Sequence, residues 1–128
     1  MKYERKFYKC NICGHVTEET VRAGGPLACC NHPMELLKVN TVDASQEKHV
    51  PAVKIENGKL KVQVGSVEHP MTAEHHIAFI VVAEKNKTTR IDLDINSKPE
   101  AEFEIPEGGV TVYEYCNLHG LWAVDFEK

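Results

Sequence analysis

The chain has 128 residues, of which 42% are hydrophobic and 27% charged, and its formal net charge is −4. This length fits one ordinary domain, or one small metal-stapled module followed by a domain of about 90 residues. The acidic balance gives no basic footprint and disfavours nucleic acid as a partner. No apolar run approaches the roughly 18 residues that a membrane helix needs, so no membrane role is predicted.

The five cysteines are the most informative residues because four of them lie within the first thirty residues and the fifth, Cys116, stands alone near the end. The first residues of the chain are charged and lead into no apolar segment, which predicts a cytoplasmic protein without a secretory signal. Thiols stay reduced in that compartment, so clustered cysteines favour metal binding over disulfides. Four thiolates complete a tetrahedral metal site, whereas a disulfide scheme leaves one sulfur without a partner.

The first element in the chain is a four-cysteine pattern: Cys10-x-x-Cys13, fifteen intervening residues, and the adjacent pair Cys29-Cys30. Gly14 follows the first pair and indicates a tight turn whose backbone amides point at the sulfurs. Neighbouring residues point in different directions, so ligation by both members of the adjacent pair is expected to distort the tetrahedron. Zinc ribbons normally use two C-x-x-C pairs; the adjacent pair therefore favours iron, with structural zinc as the alternative.

After residue 37 the sequence changes to a pattern of short strands. Residues 77–83 form a continuous apolar run that suits a central strand, and Asn57-Gly58 predicts a hairpin turn. Helical periodicity is absent from every long window. Three further segments alternate apolar and polar residues with the period of a strand: 60–64, 101–105 and 110–115. We therefore predict an all-β protein, with a small metal-bound module at 1–37 and a β-sandwich at 38–128.

Seven histidines are a high count for this length, and they fall into two groups. His15 and His32 lie beside the cysteine cluster and are expected to face solvent. Cys116 and His119 are close enough to bind one ion across a single turn, whose amides point at the thiolate. On a strand, adjacent side chains point to opposite faces, so only one member of the pair at 75 and 76 can join a given site. The remaining candidates for this second site are His49, His69, and either His75 or His76.

Over almost its whole length the chain closely resembles desulfoferrodoxin, the two-iron class of superoxide reductase. The resemblance of the first part is to the desulforedoxin-type module and is carried by the four clustered cysteines. The resemblance of the second part is to the immunoglobulin-like catalytic domain. It is carried by Glu47-Lys48-His49-x-Pro51, His69-Pro70-Met71, Glu74-His75-x-Ile77 and Cys116-Asn117-Leu118-His119-Gly120. Two departures leave every ligand in place: Leu121 stands where a polar residue is expected before Trp122, and His76 adds an imidazole near the site.

The resemblance implies two iron ions per chain. Cys10, Cys13, Cys29 and Cys30 are implied as ligands of a distorted rubredoxin-like iron. The catalytic iron is implied to lie in a plane of four histidines with the Cys116 thiolate axial, and the resemblance selects His75 over His76. The four implied planar ligands are His49, His69, His75 and His119.

The implied activity is the one-electron reduction of superoxide to hydrogen peroxide at an open position of ferrous iron. Because superoxide is an anion and the chain is net negative, a local cation is required, and Lys48 is the candidate for attracting it. Glu47 is implied as the carboxylate that occupies the open position after turnover. The resemblance further implies a rubredoxin-like electron donor and a homodimer. The alternatives are a rubredoxin-like electron-transfer protein and a zinc-stapled binding module.

Overall fold

The structure, a computed structural model, describes all 128 residues. It contains two compact units, one formed by Glu4–Lys38 and the other by Met1–Tyr3 together with Val39–Lys128. The first three residues belong to the larger unit because they bond to its strands: the amide of Tyr3 donates to Thr111 Oγ1 at 2.9 Å. No helix is long and apolar enough to cross a membrane.

The smaller unit is built from very short strands and has almost no core. Only Phe7 and Cys10 are buried within it. The strands are β1 (Phe7–Lys9), β2 (Val16–Glu18), β3 (Ala28–Cys29), β4 (His32–Pro33) and β5 (Glu35–Leu36). A three-stranded antiparallel sheet has the order β2-β1-β5, and β3 pairs with β4 in a separate hairpin.

The larger unit is a sandwich of two antiparallel sheets, which confirms the predicted all-β fold. A single helical turn, α1 (Gln46–His49), precedes the first strand of this unit. The strands are β6 (Pro51–Glu56), β7 (Lys59–Val64), β8 (Ile77–Ala83), β9 (Thr88–Asp92), β10 (Glu100–Phe103), β11 (Val110–Cys116) and β12 (Gly120–Phe126). One sheet has the order β10-β7-β6 and the other has the order β12-β11-β8-β9.

The hydrophobic core lies between the two sheets and follows the predicted patterns. Alternate residues of β7 are buried, and β8, the predicted central strand, pairs with a neighbour on both sides. Asn57 and Gly58 form the hairpin turn between β6 and β7 with φ of 52° and 74°, as the right-handed strand twist requires. Apolar side chains from both sheets meet in one cluster, with Leu60, Val62, Ile80, Phe103, Val112 and Cys116 among its members.

One end of the sandwich gathers the segments that carry the predicted second site. The last residue of β7, Val64, pairs with Pro51 at the start of β6. The last residue of β11, Cys116, pairs with Ile77 at the start of β8 and with Gly120 at the start of β12. These pairings bring the segments before β6, β8 and β12 to the same end of the sheets as the segments after β7 and β11. Side chains far apart in sequence thereby become neighbours.

Candidate metal centres

The four clustered cysteines form the first centre. Their sulfur atoms all lie within 4.8 Å of one another, and none forms a disulfide. Cys13 Sγ lies 3.5 Å from Cys29 Sγ, which lies 3.9 Å from Cys30 Sγ. Cys30 occupies the tight turn between β3 and β4 with φ of 53°. This left-handed conformation, uncommon outside glycine, explains how two adjacent cysteines direct their sulfurs to one point.

Backbone amides set the chemistry of the first sulfur in this centre. The amide of Cys13 donates to Cys10 Sγ at 3.4 Å. This bond and the amide of Ile12 lower the pKa of Cys10 to about 6. Hydrogen bonds with the Cys13 and Cys10 side chains instead raise the pKa of Cys29 to about 12, because they favour its protonated form. A cation among the four sulfurs would take the place of the shared protons, so the site fits a metal ion.

Four imidazole rings and one thiolate form the second centre at the end of the sandwich. The donor atoms of His49, His69, His75, His119 and Cys116 lie within 4.8 Å of one another. Neighbouring ring centroids are 4.5–5.0 Å apart in the order 49, 69, 75, 119, with interplanar angles of 77–88°. The four imidazoles thus form a closed ring, and the centroids of His49 and His75, which face each other across it, are 6.4 Å apart. Four rings in a tetrahedron would be equally spaced, so the longer distance across indicates a square.

Hydrogen bonds on the outer side of this ring of four imidazoles fix which imidazole nitrogens face its centre. His49 Nδ1 lies 2.7 Å from the Ser45 carbonyl oxygen, and His69 Nδ1 lies 2.7 Å from the Pro70 carbonyl oxygen. Each Nδ1 must carry the proton it donates, which leaves a lone pair on each Nε2. Those two Nε2 atoms face each other at 3.2 Å. Two lone pairs at this distance repel, and His75 Nε2 is buried without a hydrogen-bond partner, so the ring fits a cation at its centre.

Burial keeps three of the imidazoles, those of His49, His69 and His75, neutral and therefore able to bind a metal. It lowers the pKa of His69 to about 4, and it also lowers the pKa values of His49 and His75. The neighbouring histidines and the charge of Lys48 lower the pKa values of His49 and His75 further. Lys48 and Glu47 are both exposed on α1, beside the buried His49. The Lys48 charge thus lies close enough to lower the pKa values of both His49 and His75, which face each other across the ring of four.

Cys116 approaches the ring from the hydrophobic core. Its side chain is fully buried, and its Sγ lies 3.5 Å from His69 Nε2 and 3.9 Å from His119 Nδ1. Burial raises the pKa of the thiol, while the amides of His119 and Leu118 act in the opposite direction. The turn from Cys116 to Gly120 therefore supplies a sulfur, an imidazole and two amide donors. These two amides are the ones that the sequence predicts at the thiolate.

Trp122 supports the group of four imidazoles, a role that the sequence does not predict. Its indole stacks on His49 with centroids 5.0 Å apart, and its Nε1 donates to the His119 carbonyl oxygen at 2.9 Å. Its position in β12, directly after the metal-binding turn, is the only sequence signal for this role. Leu121, the departure noted beside it, is buried. His76 stays outside the donor cluster, with Nδ1 at 2.9 Å from the Thr72 carbonyl oxygen.

Glu114 is an acidic side chain enclosed in the sandwich close to the second centre. It lies in β11 between Val112 and Cys116, which alternate onto the core face. Both carboxyl oxygens are buried without hydrogen-bond partners. Burial raises the pKa of Glu114 well above its ordinary value, so the group is held as a neutral acid.

Replacement of Glu114 by glutamine is expected to raise the free energy of unfolding by about 1–3 kcal/mol at pH 8 and by less at pH 5. A carboxyl in the unfolded chain titrates near pH 4.3, about its reference value. Above that pH the unfolded state loses a proton that the folded state retains, so stability falls as pH rises towards the folded pKa. Denaturant titration of the metal-loaded protein measures the difference. The exposed Glu104→Gln is the control, and equal gains at both pH values would contradict the assignment.

The fold and the two ligand sets define a class of protein: an all-β chain with one four-thiolate centre and one centre of four imidazoles and a thiolate. The family models for desulfoferrodoxin match both parts, the N-terminal domain at residues 3–37 and the main domain at residues 41–125. The chain belongs to the desulfoferrodoxin family. Its two ligand sets fit the two iron centres of that family.

Individual relatives agree with this assignment. A desulfoferrodoxin of Syntrophotalea carbinolica is 46% identical over 123 residues, which span 96% of this chain and 98% of that protein. The crystal structure of the superoxide reductase from Treponema pallidum superposes with a TM-score of 0.76 at 35% identity, covering 94% of this chain and 98% of that one. The one-iron superoxide reductase from Giardia intestinalis has a TM-score of 0.55 at 30% identity, covering 64% of this chain and 99% of that one.

Proposed function

We propose that this protein is a superoxide reductase, which converts superoxide to hydrogen peroxide by adding one electron and two protons. The observation that carries the proposal is the square of four imidazoles with a buried thiolate beside it, all within 4.8 Å. Five protein donors exceed the three that catalytic zinc typically takes, which disfavours a zinc hydrolase. Solved relatives of the same fold are named superoxide reductases.

The proposed iron ligands are the nine residues of the two clusters. When bound in the second centre, iron(II) would supply the electron and an open coordination position for a small oxidant. The chain's own part is to keep His49, His69 and His75 neutral through burial, while two backbone carbonyls orient the rings of His49 and His69. The buried Cys116 thiolate would donate electron density to a bound metal, and the amides of Leu118 and His119 would limit its basicity.

Glu47 and Lys48, which are exposed on α1, are the proposed catalytic residues. Lys48 is the cation that draws the superoxide anion towards the ring, against the net negative charge of the chain. Glu47 is proposed as the carboxylate that takes the open position after turnover. Its backbone carbonyl accepts hydrogen bonds from the Val67 amide at 2.9 Å and from Ser66 Oγ at 3.2 Å, which anchor α1 beside the segment that leads to His69.

Replacement of Lys48 by alanine is expected to slow the second-order reaction with superoxide by roughly tenfold at low salt and to weaken its salt dependence. The visible spectrum should stay nearly unchanged, because no ligand is altered. Pulse radiolysis at several ionic strengths measures the rate. The matched control is Lys85→Ala, an equal charge change in the exposed loop after β8, at the end of that strand away from the centre. An unchanged rate in the Lys48 variant would remove it from the mechanism.

The proposed activity is tested by the stoichiometry of the reaction. The iron-loaded chain is supplied with reduced rubredoxin and a steady source of superoxide. A reductase oxidises one equivalent of donor per superoxide and releases peroxide without oxygen. A dismutase would release oxygen and leave the donor reduced. A colourless protein that contains only zinc would instead identify a binding module, and coloured protein without a superoxide reaction would identify an electron carrier.

We further propose the setting in which the activity operates. The domains are a four-cysteine iron module at 1–37 and a catalytic sandwich at 38–128. The electron donor is a rubredoxin-like protein, the assembly is a homodimer, and the compartment is the cytoplasm. The resemblance to two-iron desulfoferrodoxins supports the donor and the dimer. The grouping of all five cysteines in metal-binding clusters, which need reduced thiols, supports the compartment.

A further inference from the structure

The two centres use the same metal-binding turn. Residues 10–14 read Cys-Asn-Ile-Cys-Gly, and residues 116–120 read Cys-Asn-Leu-His-Gly. The closing glycines have φ of 86° and 81°, a left-handed conformation that suits glycine. In both turns the amides of the third and fourth residues act on the first sulfur and favour its thiolate. The repeated pattern makes each position of one turn a natural control for the same position of the other.

The asparagine is the position at which the two turns differ in their contacts. Asn117 Oδ1 accepts a hydrogen bond from the His76 amide at 2.8 Å, and its Nδ2 donates to the Glu74 carbonyl oxygen at 2.9 Å. Its backbone amide donates to the His76 carbonyl oxygen at 3.2 Å. Asn11, its counterpart, is exposed. Asn117 therefore clamps the residues on both sides of His75 to the turn that carries Cys116.

The His75 side chain lacks the outer hydrogen bond that orients the rings of His49 and His69. The rings of His49 and His69 are each held by a carbonyl oxygen at 2.7 Å. The His75 ring has no hydrogen bond of this kind, and its Nε2 is buried without a partner. The backbone alone orients His75: its amide donates to Thr72 Oγ1 at 3.1 Å, and its carbonyl accepts from the Thr72 amide at 2.9 Å. Thr72 holds one side of the loop, and Asn117 ties the loop to the centre.

We propose that Asn117 is a positioning residue for His75, joining the loop of residues 72–76 to the turn of residues 116–120. The proposal rests on the ligand role of His75 in the proposed function, but not on the reaction with superoxide. Loss of the Asn117 side chain frees the loop to move away from the turn, so the His75 imidazole leaves the ring of four more often. Partners that orient a metal ligand typically contribute 10–100-fold to metal affinity.

The test measures how fast the second centre of the iron-loaded full chain loses its metal to an excess of chelator. The decay of the visible absorption band of that centre reports the loss. Asn117→Ala is expected to accelerate this release by about 10–100-fold. The matched Asn11→Ala should leave release from both centres unchanged. Asn117→Asp keeps the acceptor for the His76 amide and loses the donor to Glu74, so an intermediate acceleration is expected. This conservative variant carries the test if the alanine variant does not fold.

A double-mutant cycle separates positioning of His75 from a general loosening of the turn. In a His75→Ala background, Asn117→Ala should add almost nothing, because the ligand it positions is absent. In a His49→Ala background, its full effect should remain. Equal effects in both backgrounds, or unchanged release in Asn117→Ala itself, would overturn the proposal. Because the readout is metal release, a failure to reduce superoxide would leave this result standing and would count against the proposed function alone.

Discussion

Replacement of Cys116 by serine is expected to abolish the thiolate-to-iron charge-transfer band of the oxidised second centre. The serine hydroxyl would be fully buried at this position, where an alkoxide is far less accessible than a thiolate. Loss of a ligand should cost at least as much as loss of its orienting partners, so we expect the superoxide rate to fall by about 100-fold or more. Visible spectroscopy and pulse radiolysis measure the two effects.

The matched control for this change is serine at Cys13, which removes one sulfur from the first centre. Cys13→Ser should alter the four-thiolate bands and leave those of the second centre in place. The pair of variants therefore assigns each part of the spectrum to one set of sulfurs. Persistence of the second band in Cys116→Ser would refute ligation by this sulfur, whatever the activity of the variant.

Removal of metal is expected to unfold the smaller unit, Glu4–Lys38, while the sandwich retains its strands. Only Phe7 and Cys10 are buried in that unit, so apolar burial cannot offset the entropy of ordering its backbone. Structural metal sites of this size contribute about 10 kcal/mol or more to folding. The sandwich keeps a continuous apolar core from both of its sheets. Amide resonances of the metal-free chain report both outcomes residue by residue.

Refilling the chain with zinc or gallium provides the control, because neither ion changes its oxidation state and both satisfy the four thiolates. Either ion should restore the dispersed resonances of residues 4–38. Dispersed resonances from these residues in the metal-free chain would show that the unit folds without its metal. That result would contradict the assignment of the four cysteines as its main source of stability.

Local sequence patterns were sufficient to predict much of the architecture. The alternation along β7 and the Asn57-Gly58 turn follow from the period of a strand and the twist of a hairpin, and both are confirmed. The turn at Cys116 was predictable because its sulfur, imidazole and amides lie within four residues of one another. The single helical turn α1 was not predicted, because four residues carry no periodic signal.

The sequence by itself determined the class of chemistry, since the number and type of donor residues limit which metals can bind. Only the tertiary structure decided the geometry. Spacing alone left His75 and His76 as alternatives, and strand pairing at one end of the sandwich placed His75 in the ring while His76 turned to Thr72. The clamp from Asn117 also comes from a distant segment, 41 residues from the His76 amide whose hydrogen bond it accepts. Long-range pairing brings such groups together, and no local pattern encodes it.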